Sequence, residues 1–305
     1  KPECNFLRSR FSKKGAAVKA AQSCCARSKA RIREGGSPAV EVPLMDLKAE
    51  YQDLRPQVLE ALDQALSSMQ LFLGPNVQAL EQEFAQFCEV QHAIGCGSGT
   101  DACQLALEAA GVGPGDEVIT VGWTFIATIA AIVHLGAQPV LVDIEPTHFN
   151  MDPALVEPAI TSKTRAIMPV HIYGYPADMG ALQKIADKHG LLVIEDACQA
   201  HGATLEGKRV GGLGAAAAFS FYLSKALGCY GEGGMITTND AGLAERVRLL
   251  RNHGYTGKYD HGTIGYNSRL DEVQAAVLRV KLARIEDSLA RRRHQAELYR
   301  EREAL

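Results

Sequence analysis

The chain has 305 residues, 47% of them hydrophobic and 22% charged, which is the composition of an ordinary globular protein with a large core. This length excludes a mini-protein, and the lack of any apolar run of about 18 residues excludes a membrane-spanning helix. The net charge is -3, but residues 1–34 carry +8 and the remainder -11, so the acidic body is not expected to bind nucleic acids generally.

The chain begins with a basic segment. Residues 1–40 are predicted to be an extension that is disordered or foreign to the native protein, and residues 1–34 also have the composition of a transit peptide. The eight cysteines form neither a CxxC pair nor a His/Cys cluster, so no metal site is predicted. No apolar segment typical of a secretory signal occurs near the start, and we therefore expect reduced thiols and a cytoplasmic location.

From residue 42 onward, amphipathic helical patterns alternate with short apolar runs. Helices are predicted at 54–69, 77–90, 102–110, 126–135, 153–160 and 177–189, with one or two more over 270–304. Strands are predicted at 117–121, 139–144, 166–172, 191–195, 215–221 and 235–238. This order predicts an α/β fold of three layers, a mostly parallel sheet with helices on both faces. Ligands of such sheets bind at the carboxyl ends of the strands.

A glycine-rich run, GCGSGTD at residues 95–101, opens the helix predicted at 102–110. Glycines let the backbone approach an anion, and the start of a helix presents free N–H groups and a positive dipole end. The run therefore either binds a phosphate or is a plain tight turn in which Ser98 or Thr100 caps the helix. It lacks the full spacing of a dinucleotide fingerprint and the GK[ST] of a P-loop.

An acidic residue, Asp196, follows the apolar strand predicted at 191–195. A carboxylate at the end of a buried parallel strand lies where a cofactor binds, and it could hold a ring nitrogen in its protonated form. The alternative is that Asp196 only caps a helix.

A lysine, Lys225, follows the next apolar strand and precedes a turn with glycines at 228, 231, 233 and 234. In a constrained, partly desolvated pocket its amine could stay neutral enough to act as a nucleophile. The alternative is a lysine on a surface loop. A phosphate-binding turn, a carboxylate, a strand-end lysine and an aromatic residue at Trp123 or Phe125 together meet the four requirements of pyridoxal phosphate.

Seven motifs resemble those of the DegT/DnrJ-type sugar aminotransferases, which are pyridoxal-phosphate enzymes of the aspartate-aminotransferase fold. They occur in the family's order across residues 42–300: GTDA at 99–102, GPGDEV at 113–118, TFIAT at 124–128, EDA at 195–197, Ser220 with Lys225, GEGG at 231–234, and GYNSRL at 265–270.

The resemblance implies a role for each matching residue. Lys225 would form the Schiff base with the cofactor and shuttle the proton, and Asp196 would pair with the pyridinium nitrogen. Phe125, rather than Trp123, would stack on the ring, and Gln199 would contact the ring hydroxyl. The residues that would hold the phosphate are Gly99, Thr100, Asp101 through its backbone N–H, and Ser220.

The resemblance also implies the reaction and the partners. The reaction would be transamination of a nucleotide-linked keto sugar by an amino-acid donor, for which the family usually takes L-glutamate. The protein would be a homodimer with composite active sites, in which Asn267 reaches the phosphate bound by the partner subunit. No nucleic acid, membrane or metal is implied.

Members of the family are typically longer than this chain and carry a second, C-terminal domain. The resemblance therefore predicts a cofactor-binding large domain at 41–255 and the start of an incomplete small domain at 256–305. We expect this form to keep the cofactor-binding sheet but to have impaired turnover or solubility.

Other functions stay open beside transamination. The chain could be a truncated, impaired cofactor-binding module, or another enzyme of the same fold, such as a cysteine desulfurase. Lys225 argues against the sugar dehydratases of the family, which have histidine there, and nicotinamide binding lacks the required acidic strand end. His171 either faces the cofactor or is structural, whereas His201 and His253 are interpreted as structural.

Overall fold

The computed structural model describes residues 45–303 of the chain. The chain divides into two compact units between Asp53 and Leu54. The described part of the first unit, residues 45–53, includes the start of the first helix, and every strand of the described residues lies in the second unit. The extension predicted at 1–40 lies outside the described residues.

Helices and strands alternate through most of the second unit. The α-helices are α1 (Leu47–Ser68), α2 (Pro75–Cys88), α3 (Gly99–Ala109), α4 (Ile126–His134), α5 (Met179–His189), α6 (Ala241–Arg251), α7 (Glu272–Leu282) and α8 (Ile285–Glu303). The strands are β1 (His92–Cys96), β2 (Glu117–Val121), β3 (Gln138–Val142), β4 (Thr164–Ile167), β5 (Leu192–Asp196), β6 (Thr204–Leu205), β7 (Lys208–Arg209), β8 (Ala216–Ser220), β9 (Gly234–Thr238), β10 (Tyr255–Gly257) and β11 (Asp260–His261).

Seven strands form one sheet in the order β1-β9-β8-β5-β4-β2-β3. Strands β8, β5, β4, β2 and β3 pair in parallel, whereas β9 is antiparallel to both of its neighbours. Strand β1 therefore runs in the same direction as β8, and six carboxyl ends lie at one edge. The predicted α/β fold with a mostly parallel sheet is confirmed.

Helices cover both faces of the sheet. One core cluster joins α3, α4 and α6 to the sheet, and another joins α2 and α7 to it. Strand β8 is unusually rich in alanine, and Ala216 and Ala218 belong to the same cluster as Ala102 and Ala106 of α3. These small side chains let α3 approach the sheet closely, which brings its first turn to the carboxyl edge.

One ion pair and two hydrogen bonds to the backbone fix strand β1 just before the glycine-rich turn. The buried Arg251 donates from Nη1 to the carboxylate of Glu81 and, at 2.6 Å, to the carbonyl of Gly95. The backbone N–H of Gly95 donates to the same glutamate at 2.9 Å. Because both backbone groups of Gly95 are bound from α2 and α6, the turn that follows has a fixed starting point.

The structure corrects two predicted elements. Residues 153–160 form two 3₁₀ turns, Pro153–Leu155 and Glu157–Ala159, because Pro158 lacks an N–H and disfavours a continuous helix. The strand predicted at 166–172 ends at Ile167, shortly before Pro169. Strand β1, helix α6 and the short strands β6, β7, β10 and β11 have no counterpart among the predicted elements.

Two further features bear on the predictions. No helix within residues 45–303 is long and apolar enough to cross a membrane. The division into a large domain at 41–255 and a small domain from 256 stays a prediction.

Candidate active site

A cavity of about 530 Å³ lies at the carboxyl edge of the sheet. Turns that follow β1, β2, β5 and β8 surround it, as expected for an open α/β sheet. Seven of the nine residues selected from the sequence line it: Gly99, Thr100, Phe125, Asp196, Gln199, Ser220 and Lys225. The remaining two, Asp101 and Asn267, are not among its lining residues, and Asn267 is exposed.

The first side of the cavity is the start of helix α3. Ser98 caps this helix, and its Oγ accepts the backbone N–H of Asp101 at 3.1 Å. Among the described residues, the N–H groups of Gly99 and Thr100 have no acceptor. The helix therefore presents two free donors and its positive end to the cavity, whereas the N–H of Asp101, expected to be free, serves the cap.

The same turn packs tightly against strand β8. A Cβ at Gly99 would lie 2.4 Å from Cβ of Ser220, so only glycine lets α3 come this close to the end of the strand. The Oγ of Ser220 accepts the backbone N–H of Tyr222 at 3.3 Å, which leaves its hydroxyl hydrogen free for another acceptor. The two elements together form a pocket rich in hydrogen-bond donors.

The second side of the cavity is Asp196, which is 6% exposed at the end of β5. Its Oδ2 accepts the hydroxyl of Thr128 at 2.6 Å, and its Oδ1 accepts the backbone N–H of Cys198 at 3.2 Å. The hydroxyl groups of Thr128 and Thr124 are 2.7 Å apart. Protein donors thus hold both oxygen atoms of the carboxylate.

Two thiols lie beside this carboxylate, and one oxygen of Asp196 and the sulfurs of Cys103 and Cys198 are all within 4.8 Å of one another. The hydrogen bond with Cys198, together with burial, raises the pKa of Cys103 well above its ordinary value. The bond with Cys103 lowers the pKa of Cys198, but burial and the charge of Asp196 outweigh this and the net shift is upward. Both groups are therefore neutral thiols.

The third side of the cavity is the loop after β8, which carries Lys225. The backbone N–H of Lys225 donates to Tyr222 at 2.8 Å, and the N–H of Cys229 returns to Phe221 at 2.8 Å, which closes the loop. A Cβ at Gly228 would lie 2.6 Å from the carbonyl oxygen of Leu223, so the loop also needs glycine there. Within the described part of the chain, Nζ of Lys225 has no hydrogen-bond or ion-pair partner.

Two further predicted residues face the cavity from other loops. Phe125 lines it and is 68% exposed, whereas the single tryptophan, Trp123, is not among the lining residues and has its ring centre 6.4 Å from that of Phe149. Gln199 accepts the backbone N–H of Tyr173 at its Oε1, at 2.8 Å. Because this bond occupies the amide oxygen of Gln199, its NH₂ group is left to donate to a ligand.

The structure decides whether His171 faces the cofactor or is structural. Its ring is completely buried, with Nε2 3.0 Å from Glu195 and Nδ1 accepting the backbone N–H of Ala177 at 3.1 Å. Because Nδ1 is an acceptor, Nε2 carries the proton and donates to Glu195. His171 is therefore structural and does not line the cavity.

His201 is also buried, and neither of its ring nitrogens has a partner in the described range. Its ring lies 5.4 Å from Phe219 and 6.0 Å from Phe221. Burial, with a smaller contribution from the charge of Lys225, lowers the pKa of His201 to about 3. The ring is therefore neutral at physiological pH.

Several lining residues were not selected from the sequence, among them Ser98, Thr124, Tyr222, Ser224 and Glu232. Thr124 and Glu232 belong to the TFIAT and GEGG motifs, and the other three lie within two residues of a selected residue, so the sequence did carry a signal for each. Thr128 does not line the cavity and acts on it through Asp196, 68 residues away, and nothing in the sequence indicates that contact.

Known proteins with similar sequences and structures are aminotransferases in most cases. The profile of the DegT/DnrJ/EryC1/StrS aminotransferase family matches residues 52–303. A pleiotropic regulatory protein of Geobacillus stearothermophilus is 53% identical over 260 residues, which are 85% of this chain and 70% of that protein. A dTDP-3-amino-3,4,6-trideoxy-alpha-D-glucose transaminase of Streptomyces venezuelae is 53% identical over 251 residues, which are 82% of this chain and 66% of that protein.

A solved structure is also similar to this chain over most of its length. NtdA from Bacillus subtilis, crystallised with its bound cofactor PMP, is 33% identical with a TM-score of 0.76, and the match covers 86% of this chain and 59% of that chain. This chain therefore spans between 59% and 70% of the length of these three proteins.

Proposed function

Because the chain belongs to the DegT/DnrJ/EryC1/StrS aminotransferase family, we propose that it transfers the amino group of an amino acid, L-glutamate, to a keto sugar attached to a nucleotide. One observation carries this proposal. The amine of Lys225, which has no partner within residues 45–303, and the buried carboxylate of Asp196 line the same cavity as the free N–H groups of a helix start.

The family's cofactor is pyridoxal 5′-phosphate, and the residues around the cavity fit it. A volume of about 530 Å³ is within the range of small-molecule sites. When the cofactor is bound, its protonated pyridine ring withdraws electrons from the α-carbon of the amino-acid donor, which loses a proton. The site offers a carboxylate for the ring nitrogen, an amine for the aldehyde, and several donors for the phosphate.

The phosphate is assigned to the pocket between α3 and β8. The free N–H groups of Gly99 and Thr100 and the hydroxyl hydrogen of Ser220 are the donors that support this assignment. The dipole of α3 adds a positive potential at the same place. We expect Asp101 to act through the cap of this helix, because its own N–H already donates to Ser98.

Asp196 and Gln199 are assigned to two different polar groups of the cofactor ring. The carboxylate of Asp196 would keep the positive charge on the ring nitrogen, a role that its burial at the side of the cavity supports. The NH₂ group of Gln199, left available by the bond from Tyr173, donates to the ring hydroxyl. Phe125 covers the ring face and excludes water from it.

Lys225 is assigned two tasks, to hold the cofactor covalently and to move a proton. Nζ of Lys225 would be the base that takes the proton from the α-carbon of the amino-acid donor and would deliver it to C4′ of the cofactor. The closed loop supports this role because it keeps the amine within the cavity.

The proposal includes a homodimer in which Asn267 binds the cofactor phosphate of the partner subunit. The exposure of Asn267, outside the cavity of its own chain, supports this role. Light scattering of the purified protein measures the dimer directly. We expect Asn267→Ala to stay dimeric but to bind the cofactor less tightly. Composite sites would be excluded if a monomeric form of the protein had the same turnover rate as the dimer.

The test of the reaction is a panel of dTDP- and UDP-linked keto sugars incubated with L-glutamate and followed for 2-oxoglutarate. In parallel, borohydride reduction and peptide mapping locate the bound cofactor. We expect 2-oxoglutarate release with at least one sugar, cofactor fixed on Lys225, and loss of both in Lys225→Ala. The matched control is Lys184→Ala, which removes an exposed lysine away from the cavity and should change neither. Cofactor fixed on another lysine would exclude the proposed site.

A second candidate function is a cofactor-binding module without turnover. The relative from Geobacillus stearothermophilus, named for pleiotropic regulation, favours keeping it. The same experiment separates the two functions, because a regulatory module would fix the cofactor on Lys225 yet release no 2-oxoglutarate with any sugar.

A further inference from the structure

A chain of two threonine hydroxyls ends on the carboxylate assigned to the cofactor. Thr128 in helix α4 is completely buried, and its Oγ1 lies 2.6 Å from Oδ2 of Asp196. The Oγ1 of Thr124, at the wall of the cavity, lies 2.7 Å from the Oγ1 of Thr128. Both distances are typical of strong hydrogen bonds between oxygen atoms.

The direction of these bonds follows from the chemistry of their groups. An ionised carboxylate only accepts hydrogen bonds, so the single hydroxyl hydrogen of Thr128 is directed to Asp196. The oxygen of Thr128 can then only accept from Thr124, which fixes the order Thr124 to Thr128 to Asp196. The backbone N–H of Cys198 completes the arrangement at Oδ1.

We infer that Thr128, supported by Thr124, is the positioning residue that keeps the carboxylate of Asp196 directed at the ring nitrogen of the cofactor. The inference rests on the proposed function of this cavity. A hydrogen bond to the charged form of a buried carboxylate stabilises that form, and the effect is large where water is excluded. The other ionisable groups near Asp196 are Cys103, Cys198 and Lys225, and neither neutral thiol can replace the hydroxyl as a charge-stabilising donor of equal strength.

The test compares Thr128→Val, which keeps the shape and removes the hydroxyl, with Thr128→Ser, which keeps the hydroxyl. The matched control is Thr120→Val, because Thr120 is equally buried but donates to the carbonyl of Met168, at 2.8 Å, and not to Asp196. For each variant the affinity of the cofactor-free protein for pyridoxal phosphate is measured, together with the pH at which the visible absorbance of the bound cofactor changes.

We expect Thr128→Val to bind the cofactor roughly tenfold more weakly and to move the absorbance change to higher pH, because the ring holds less positive charge. Thr128→Ser should restore both values, and Thr120→Val should leave both unchanged even if it unfolds at a lower temperature. If Thr128→Val does not fold, Thr124→Val is expected to give a smaller shift in the same direction. Wild-type affinity and absorbance in Thr128→Val, or in Thr124→Val when only that variant folds, would overturn the inference.

An Asp196→Asn variant distinguishes this inference from the proposed function. If Asp196→Asn alters the absorbance and Thr128→Val does not, only the positioning role fails. If Asp196→Asn leaves affinity and absorbance unchanged, the assignment of the carboxylate to the cofactor fails first.

Discussion

The close packing of Gly99 on Ser220 in the candidate site supplies the sharpest prediction. We expect Gly99→Ala to impair cofactor binding far more than it impairs folding. The added methyl group would lie 2.4 Å from Cβ and 3.0 Å from Cα of Ser220. Because ordinary contact begins at 3.4 Å, the start of α3 must retreat from the strand by about 1 Å.

The structure sets the magnitude of this effect. Ser220 is the last residue of a strand paired on both sides, so it cannot yield easily, and overpacking of this kind costs about 1–3 kcal/mol of stability. A hydrogen bond lengthened by about 1 Å is lost. One lost bond from Gly99 or Thr100 to a charged phosphate costs about 1.5–3 kcal/mol, so the affinity for pyridoxal phosphate should fall roughly ten- to hundredfold.

The assay is titration of the cofactor-free protein with pyridoxal phosphate, followed by the fluorescence of the single tryptophan, Trp123. Thermal unfolding of the cofactor-free protein measures the cost in stability separately. The matched control is Gly113→Ala, where a Cβ meets nothing within 4 Å, and it should leave both values near wild type. A Gly99→Ala protein that binds the cofactor as tightly as wild type would refute the assignment of the phosphate to this pocket.

Three further predictions concern buried groups. Glu272 is completely buried, and its carboxylate accepts the backbone N–H groups of Asn76 and Val77 at 2.5 and 3.1 Å. In urea denaturation, Glu272→Ala should therefore lower the free energy of unfolding by about 2–4 kcal/mol, and Glu272→Gln should lower it by less. Burial lowers the pKa of His201 from 6.5 to about 3, so the unfolded state takes up the proton at a higher pH than the folded state does. The free energy of unfolding should therefore fall as the pH drops below about 6.5, by at most about 1.4 kcal/mol per pH unit down to about pH 3. A His201→Phe variant that unfolds with the same pH dependence as the wild type would contradict this. The hydrogen bond with Cys198 and burial raise the pKa of Cys103, so peptide mapping after thiol labelling at pH 8 should find Cys103 modified only in the denatured protein.

The site was predicted from the sequence to the extent that strand ends could be located. Asp196 and Lys225 follow runs of buried apolar residues, and the sheet brings the ends of those runs to one edge. Asn267 had no such signal and was selected only by resemblance. The structure leaves it outside the cavity of its own chain.

The missed elements have physical reasons that differ. Strand β1 contains a glycine and only one large aliphatic residue, Ile94, so its pattern is too weak to distinguish from the turn that follows. Helix α6 has clear local signals, since Asp240 caps it and Leu243, Val247 and Leu250 repeat at helical spacing. These local signals are sufficient to predict α6 from the sequence.

The sequence by itself determined the class of fold, most of the order of helices and strands, and the chemical groups that follow each strand. These are local properties, because hydrophobic spacing and the residues at strand ends are read within one short segment. Only the tertiary structure decided that Gly99 packs on Ser220, that His171 pairs with Glu195, and that Thr128 supports Asp196. Such contacts join residues from 24 to more than 100 positions apart, and they depend on which strands become neighbours and how closely each helix packs on the sheet.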